Sequence, residues 1–188
     1  MIVFLKQFGL SQEEMDLVLP LATEVRVEAN QLLFSADKVF DKFWFVQEGI
    51  IRAYRLIDGN DFTYSFFLPG DICVDYESYL KGTESNHFFE ALSDSVYLKF
   101  DKQAIEALFE THPRIERIAR AMAEKAYLRA VERLKEFQSD SLEVRYLNLI
   151  SQNHALFQSA PLQHIASFLG VKPQSLSRIR ARLANKYY

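Results

Sequence analysis

The 188-residue chain holds a single cysteine, Cys73. One thiol closes no internal disulfide, forms no CxxC pair and cannot build an all-protein zinc cage. Such usage fits a cytoplasmic, reducing setting, and a cysteine-held iron–sulfur cluster is excluded by the same count. Histidine is also scarce: His87, His112, His154 and His164 are scattered, with no H-x-H. A metal-dependent jelly-roll enzyme of the cupin kind would lack its ligands, so the reading assigns no metal, no cofactor and no catalytic group. No apolar run approaches the ~20 residues of a membrane span. The start, MIVFLKQFGL, lacks a basic n-region and a small-residue cleavage site, so no signal peptide is expected. Repeats and low-complexity tracts are missing too.

One further absence is local. Pro161 to Tyr188 carry five Lys or Arg and no Asp or Glu. Residues 1–110, by contrast, hold nine basic against nineteen acidic residues, and residues 111–138 hold seven against four. The formal net charge of −3 therefore hides an acidic front and a basic tail. That polarity is expected of a sensor joined to a nucleic-acid reader.

The basic tail has a helix-turn-helix pattern. In PLQHIASFLGVKPQSLSRIRARL, Ile165, Ala166 and Leu169 share one helical face, and Gly170 and Val171 make the break. Ala166 is small where two helices cross, and Gly170 suits the left-handed conformation that ends a helix. Pro173 suits the first turn of a second helix, whose Leu176, Ile179 and Leu183 return to the same small core. Gln174, Ser175, Arg178 and Arg182 must then point outward, as a helix entering the major groove requires. Lys172 and Lys186 add positive charge, and affinity for DNA comes largely from neutralised phosphates. The competing reading is a helical hairpin that packs on the rest of the protein.

Upstream, Ser11 and Glu14 form a capping box for a short helix over residues 11–21. From Thr23 to Phe100 the pattern is β. Glu24–Glu28 and Val96–Phe100 alternate, Phe43–Val46 is a buried run, and Ile50–Ile57 and Phe62–Leu68 flank a hairpin signal at Asp58-Gly59-Asn60. Many short strands with regular turns predict a jelly roll or barrel, with the aromatic residues, Trp44 among them, as its core. From about Lys102 onward the chain reads as helical. His87 reads as a strand residue rather than a ligand, and Asp75 and Glu77 as acids of a solvated loop.

A single helix is predicted from His112 to Phe137, about 39 Å long. Ile115, Ile118, Met122 and Ala126 mark a narrow stripe that continues through Arg129, Arg133 and Phe137. Two such helices could pair as a parallel coiled coil and set two DNA-reading tails side by side. The alternative is one amphipathic helix lying against its own β domain.

In this order, β-roll, long helix and terminal helix-turn-helix, the chain resembles the Crp/Fnr family of bacterial transcription regulators. Val46-Gln47-Glu48-Gly49-Ile50-Ile51-Arg52 is similar to the family's glycine strand turn, and Phe66 to Asp71 to the entry of its phosphate-binding cassette. Glu143 to Leu149 and the later SLSRIR look most like compact members from Bacteroidetes-type bacteria. The resemblance implies an α+β chain: a double-stranded β-helix (jelly roll) sensor over 1–110, a dimerisation helix over 111–138 and a DNA-binding domain over 139–188. It implies a homodimer on double-stranded DNA, no membrane partner, and a possible small-molecule effector in a pocket around Gly70, Asp71, Asp75, Glu84, Ser85 and Asn86. Members that bind cyclic AMP clamp its phosphate with an Arg-Ser pair. Here Ser85 and Asn86 stand at those positions, while Val74 and Asp75 replace the cassette's Gly and Glu. Without the guanidinium a buried phosphate loses a bidentate, charge-assisted pair, so tight cyclic-nucleotide binding is not expected. The family's β-wing commonly follows the recognition helix, and most of it is expected to be lacking here. Against a regulator stands a β-roll binding module whose helical hairpin serves a protein partner.

Overall fold

The computed structural model describes residue 6 and residues 8–187, with the side chains of 185–187 outside the description. Helix α1 (Gln12–Val18) starts at the anticipated capping box: the Ser11 hydroxyl accepts from the Glu14 amide and the Glu14 carboxylate from the Ser11 amide. A short 3-10 turn (Leu19–Leu21) leads into the β-roll. Its strands are β1 (Ala22–Val27), β2 (Leu32–Phe34), β3 (Lys42–Glu48), β4 (Ile51–Ile57), β5 (Asn60–Phe67), β6 (Ile72–Cys73), β7 (Phe88–Ala91) and β8 (Ser95–Asp101). They pair antiparallel as two four-stranded sheets, β1-β8-β3-β6 and β2-β7-β4-β5. Helix α2 (Tyr76–Lys81) bridges β6 and β7. The Asp58-Gly59 pair turns the β4–β5 hairpin with both residues at positive φ, as a two-residue primed turn requires. Strands β2 and β6 escaped the sequence reading, because two or three residues are too few to show a period of two. Strand β7 falls where the sequence reads His87 as a strand residue, with His87 itself just before it.

Period two explains the layering. On β3, Trp44 and Val46 enter the core between the sheets, beside Phe40, Ile51, Phe89 and Tyr97, while Phe45 faces the opposite way. On β8, Tyr97 points inward and Leu98 and Phe100 outward. Both strands are thus apolar on two faces, and something must cover the outer one. Val18 of α1, Ile105 of helix α3 (Lys102–Thr111) and Ile115 of helix α4 (Pro113–Ser139) do so.

This packing corrects the expected pairing stripe. Ile115 is buried within its own chain, so it is not free to meet a second copy. Ile118 and Met122 are half-buried and Ala126 is exposed. Farther along the same face, the Arg129 guanidinium lies 3.5 Å from the Asp71 carboxylate, and Arg133 donates to the carbonyls of Tyr64 and Phe168. The start of the expected stripe, at Ile115, thus packs on its own β domain, while Ala126 stays exposed. Of the exposed large apolar residues of α4, Tyr127 and Leu134, 68% and 59% exposed, sit about a third of a turn from that stripe, Leu128 lies on the far side of the helix, and Phe137, 40% exposed, stands on the stripe itself.

Helices α5 (Leu142–Gln152), α6 (His154–Ser159), α7 (Leu162–Phe168) and α8 (Pro173–Tyr187) complete the chain. Tyr146, Ile165, Ala166, Leu169, Leu176 and Leu183 form their common core, with Ile179 partly buried beside them. After α7, Gly170 takes φ +70°, and the amides of Gly170 and Val171 reach back to the carbonyls of Ser167 and Ala166. This is a Schellman ending.

Gly49 follows β3 at φ +81°, and a Cβ there would sit 2.7 Å from the Ser95 Cα and against the Asp94 carbonyl. Gly59 also has positive φ (+75°) but faces open space. Gly59→Ala should cost about 1 kcal/mol for the left-handed conformation alone. Gly49→Ala should cost about 3 kcal/mol or more, because backbone must move. Urea unfolding of both variants checks the difference, and equal losses would contradict the packing at Ser95.

Candidate functional site

The helix-turn-helix presents the surface anticipated for it. Lys172, Gln174, Ser175 and Arg178 are exposed, while Leu176 is fully buried beneath them. Arg178 makes no hydrogen bond or ion pair with any described residue, so its guanidinium is available. Arg182 is committed differently: still exposed, it is ion-paired with Glu143 of α5. Lys186 has its side chain outside the described residues. Arg180, exposed on α8, adds a cation that the sequence reading did not single out.

The anticipated effector cassette is rebuilt rather than empty. Asp75 is buried, not solvated: one carboxylate oxygen caps α2 through the Ser78 amide, and the other accepts from the Ser85 hydroxyl at 2.5 Å and His87 Nδ1 at 2.9 Å. Burial pushes this carboxyl's pKa up, but those hydrogen bonds outweigh it and hold the pKa at about 2. Ser85, at the position the resemblance gives to a phosphate-clamping arginine, is buried and spent on Asp75. Glu77 pairs with Lys81 at the surface. A cavity of about 200 Å³ remains beside this cluster, lined by Ala53, Arg55, Tyr64, Val74 and Phe89 and by Asp75, Tyr76, Glu77, Asn86 and His87. Of the anticipated pocket residues, Asp75 and Asn86 line it. Ser85 lies just behind Asp75, and Gly70, Asp71 and Glu84 are elsewhere. Asp71 closes its own turn by accepting from the Leu68 amide, and Glu84 bridges to Val39. Arg55 and Tyr64 were missed because they arrive from β4 and β5, outside the cassette and ahead of it in the chain. Only alternation along β4, which places Arg55 on the side of Ala53, could have signalled it.

A third cluster joins the two halves of the molecule. Arg52 of β4 is 2% exposed and carries a full set of partners. Its guanidinium binds both Asp61 oxygens at 2.7 Å, Glu90 at 2.7 Å and the Thr63 hydroxyl at 3.0 Å, and lies 4.1 Å over the Tyr54 ring. Its fifth partner is His164 Nδ1 of α7, at 2.8 Å. Since Arg is always a donor, Nδ1 must be the acceptor and the ring neutral at that nitrogen. Burial and the Arg52 charge hold the His164 pKa below its usual value, against the opposing pull of Asp61 and Glu90. The Thr63 amide donates to Ser167 at 2.8 Å, and the Phe66 and Phe168 rings meet at 5.1 Å. Ile50, Phe66 and Leu156 seal the joint.

Among the described residues, no three His, Cys, Asp or Glu side chains gather as a metal site, and no helix is long and apolar enough to cross a membrane. Residues 24–112 match the family model of the cyclic nucleotide-binding domain. The chain is 26% identical over 175 residues to the transcriptional activatory protein AadR of Rhodopseudomonas palustris, covering 87% of this chain and 72% of that protein. Among solved structures, FixK2 of Bradyrhizobium japonicum superposes with a TM-score of 0.73 at 21% identity, covering 88% of this chain and 85% of that one. A CooA variant from Carboxydothermus hydrogenoformans gives 0.70 at 15% identity, covering 97% and 84%. The fold of these structures is the one described above, and the relatives are regulators rather than enzymes.

His164 gives the joint a pH dependence whose sign is fixed. The docked state disfavours the protonated ring, so docking is at full strength above the usual histidine pKa and weakens as pH falls through it. Amide exchange at Thr63 should speed up as pH falls from 7 to 5, as the joint weakens. His164→Asn, which keeps an acceptor near Nδ1 but cannot protonate, should flatten that profile. An unchanged profile would place the pH response elsewhere.

Proposed function

Because this chain is a transcription regulator of the Crp/Fnr type, we propose that it acts as a homodimer reading a near-palindromic DNA site with the Pro173–Leu183 portion of α8. The observation that carries the reading is the outward face of that helix: Gln174, Ser175 and Arg178 exposed, unopposed by any acid in its first turn, over a fully buried Leu176. A planar guanidinium such as Arg178 suits guanine O6 and N7 together. Lys172 and Arg180 serve the phosphates, and Arg182 reaches DNA only by leaving Glu143.

The dimer contact runs along α4. Tyr127 and Leu134, one heptad apart on the same face of a 27-residue helix, are exposed apolar surface that pairing would cover. Pairing there, with Ala126, Met122 and Ile118 at its margin, would hold the two reading helices about one DNA turn, ~34 Å, apart. The β-roll reports on an effector other than a cyclic nucleotide, since Ser85 and Asp75 are spent on each other.

Selection of bound sequences from random DNA tests the reading directly, and a two-fold symmetric motif is the expected result. Arg178→Ala should cost about 1–3 kcal/mol on the selected site and relax one base pair per half-site. Lys172→Ala should instead weaken all sequences alike and lower the salt dependence. If Arg178→Ala weakens selected and random DNA equally, α8 is only an electrostatic patch.

Leu134→Glu should leave the protomer folded, because the side chain is exposed there, and give monomers with weak DNA binding. Sedimentation equilibrium checks this. A stable dimer from the variant would remove the contact from this face of α4.

A further inference from the structure

Two polar groups in the β-roll cavity have no partner. The Nε of Arg55 is buried and unbonded, and none of its guanidinium nitrogens makes a hydrogen bond or ion pair with a described residue. Nε2 of His87 is likewise buried and unbonded, while its Nδ1 is held by Asp75. Both side chains line the same cavity of about 200 Å³. A half-buried guanidinium without a counter-ion is costly, and buried polar atoms left open in a cavity call for a ligand. A wider depression over residues 32–42 contains no such unpartnered group.

We propose that this cavity binds a small monocarboxylate, its charged end held between Arg55 and His87 and its compact apolar body against Ala53, Val74 and Phe89. Three features select this class. The Arg fork matches a planar carboxylate with two parallel hydrogen bonds. The Asp75–His87 pair fixes the ring: Nδ1 is held on Asp75, so Nε2 is the edge turned to the ligand. Charge limits the ligand to one negative group, because Asp75 already opposes His87, and Glu77 has its own cation in Lys81. Size excludes most alternatives, since the space is below the ~300–1,000 Å³ of drug-sized sites. Tyr64, whose ring lies 4.8 Å from that of His87, closes one side.

This inference rests on the reading of the β-roll as an effector domain, but its test needs no DNA. Benzoate is the probe, with benzamide as the uncharged isostere and inorganic phosphate and cyclic AMP as the other anions. Benzoate should raise the melting temperature of the full chain in a saturable way, and benzamide, phosphate and cyclic AMP should not. NMR should show the His87 ring resonances shifting saturably as benzoate is added. Arg55→Gln should weaken benzoate at least tenfold, and Arg55→Lys should recover part of the loss. His87→Gln should abolish the ring signal and weaken binding. A benzamide affinity equal to that of benzoate, benzoate binding indifferent to Arg55→Gln, or no benzoate binding at millimolar concentration would each overturn the proposal. Should cyclic AMP bind through Arg55 instead, the ligand class is wrong. DNA binding measured on the same preparation separates failure of this site from failure of the regulator reading.

Discussion

The guanidinium of Arg52 cannot shed its proton, and it lies almost wholly out of water. Its nitrogens must therefore find partners in the protein, and each of the three has at least one, drawn from the β-roll and from the C-terminal helices. Asp61, Glu90 and Thr63 come from the β-roll, and His164 comes from the first helix of the helix-turn-helix. A buried charge of this kind is weak evidence for stability, since desolvation offsets much of the attraction. What it does impose is geometry. The reading domain can dock where His164 reaches Arg52, Ser167 meets the Thr63 amide and Phe168 meets Phe66, and other placements leave the charge short of partners.

Arg133 repeats the theme from the long helix. It binds the carbonyls of Tyr64 on β5 and Phe168 on α7, and its guanidinium lies 3.7 Å over the Phe168 ring. Helix α4 is thereby held to sensor and reader at once. Its inner face packs on the rest of the chain at Ile115 and Arg133, while Tyr127 and Leu134 stay exposed. The division follows from strands β3 and β8, whose outward Phe45, Leu98 and Phe100 need cover and take it from the start of α4.

The β-roll illustrates how a fold outlives a ligand chemistry. The turn around Gly70 and Asp71 is retained because backbone bonds between Val46, Gly70 and Asp71 tie it to β3. The acid at residue 75 has turned from ligand contact to helix cap and hydrogen-bond acceptor for its neighbours. The positive charge at the cavity comes from β4 instead of the cassette.

By itself the sequence determined whatever depends on near neighbours. The capping box at Ser11, the Asp58-Gly59 hairpin, the glycine ending of α7 and the buried Leu176 with exposed Arg178 all follow from local spacing, because each is decided within about one helical turn or one reverse turn. The cysteine and histidine counts, likewise, bounded the chemistry. Tertiary structure alone decided which face of α4 is free, that Arg182 pairs with Glu143, and that Asp75 is buried. It also brought Arg55 to a cavity whose other walls lie twenty to thirty residues later, and His164 to Arg52 across 112 positions. The physical reason is common to these cases. A helix stripe or a charged residue is compatible with several partners, and the choice is made by which surface elsewhere in the chain is left uncovered or uncompensated.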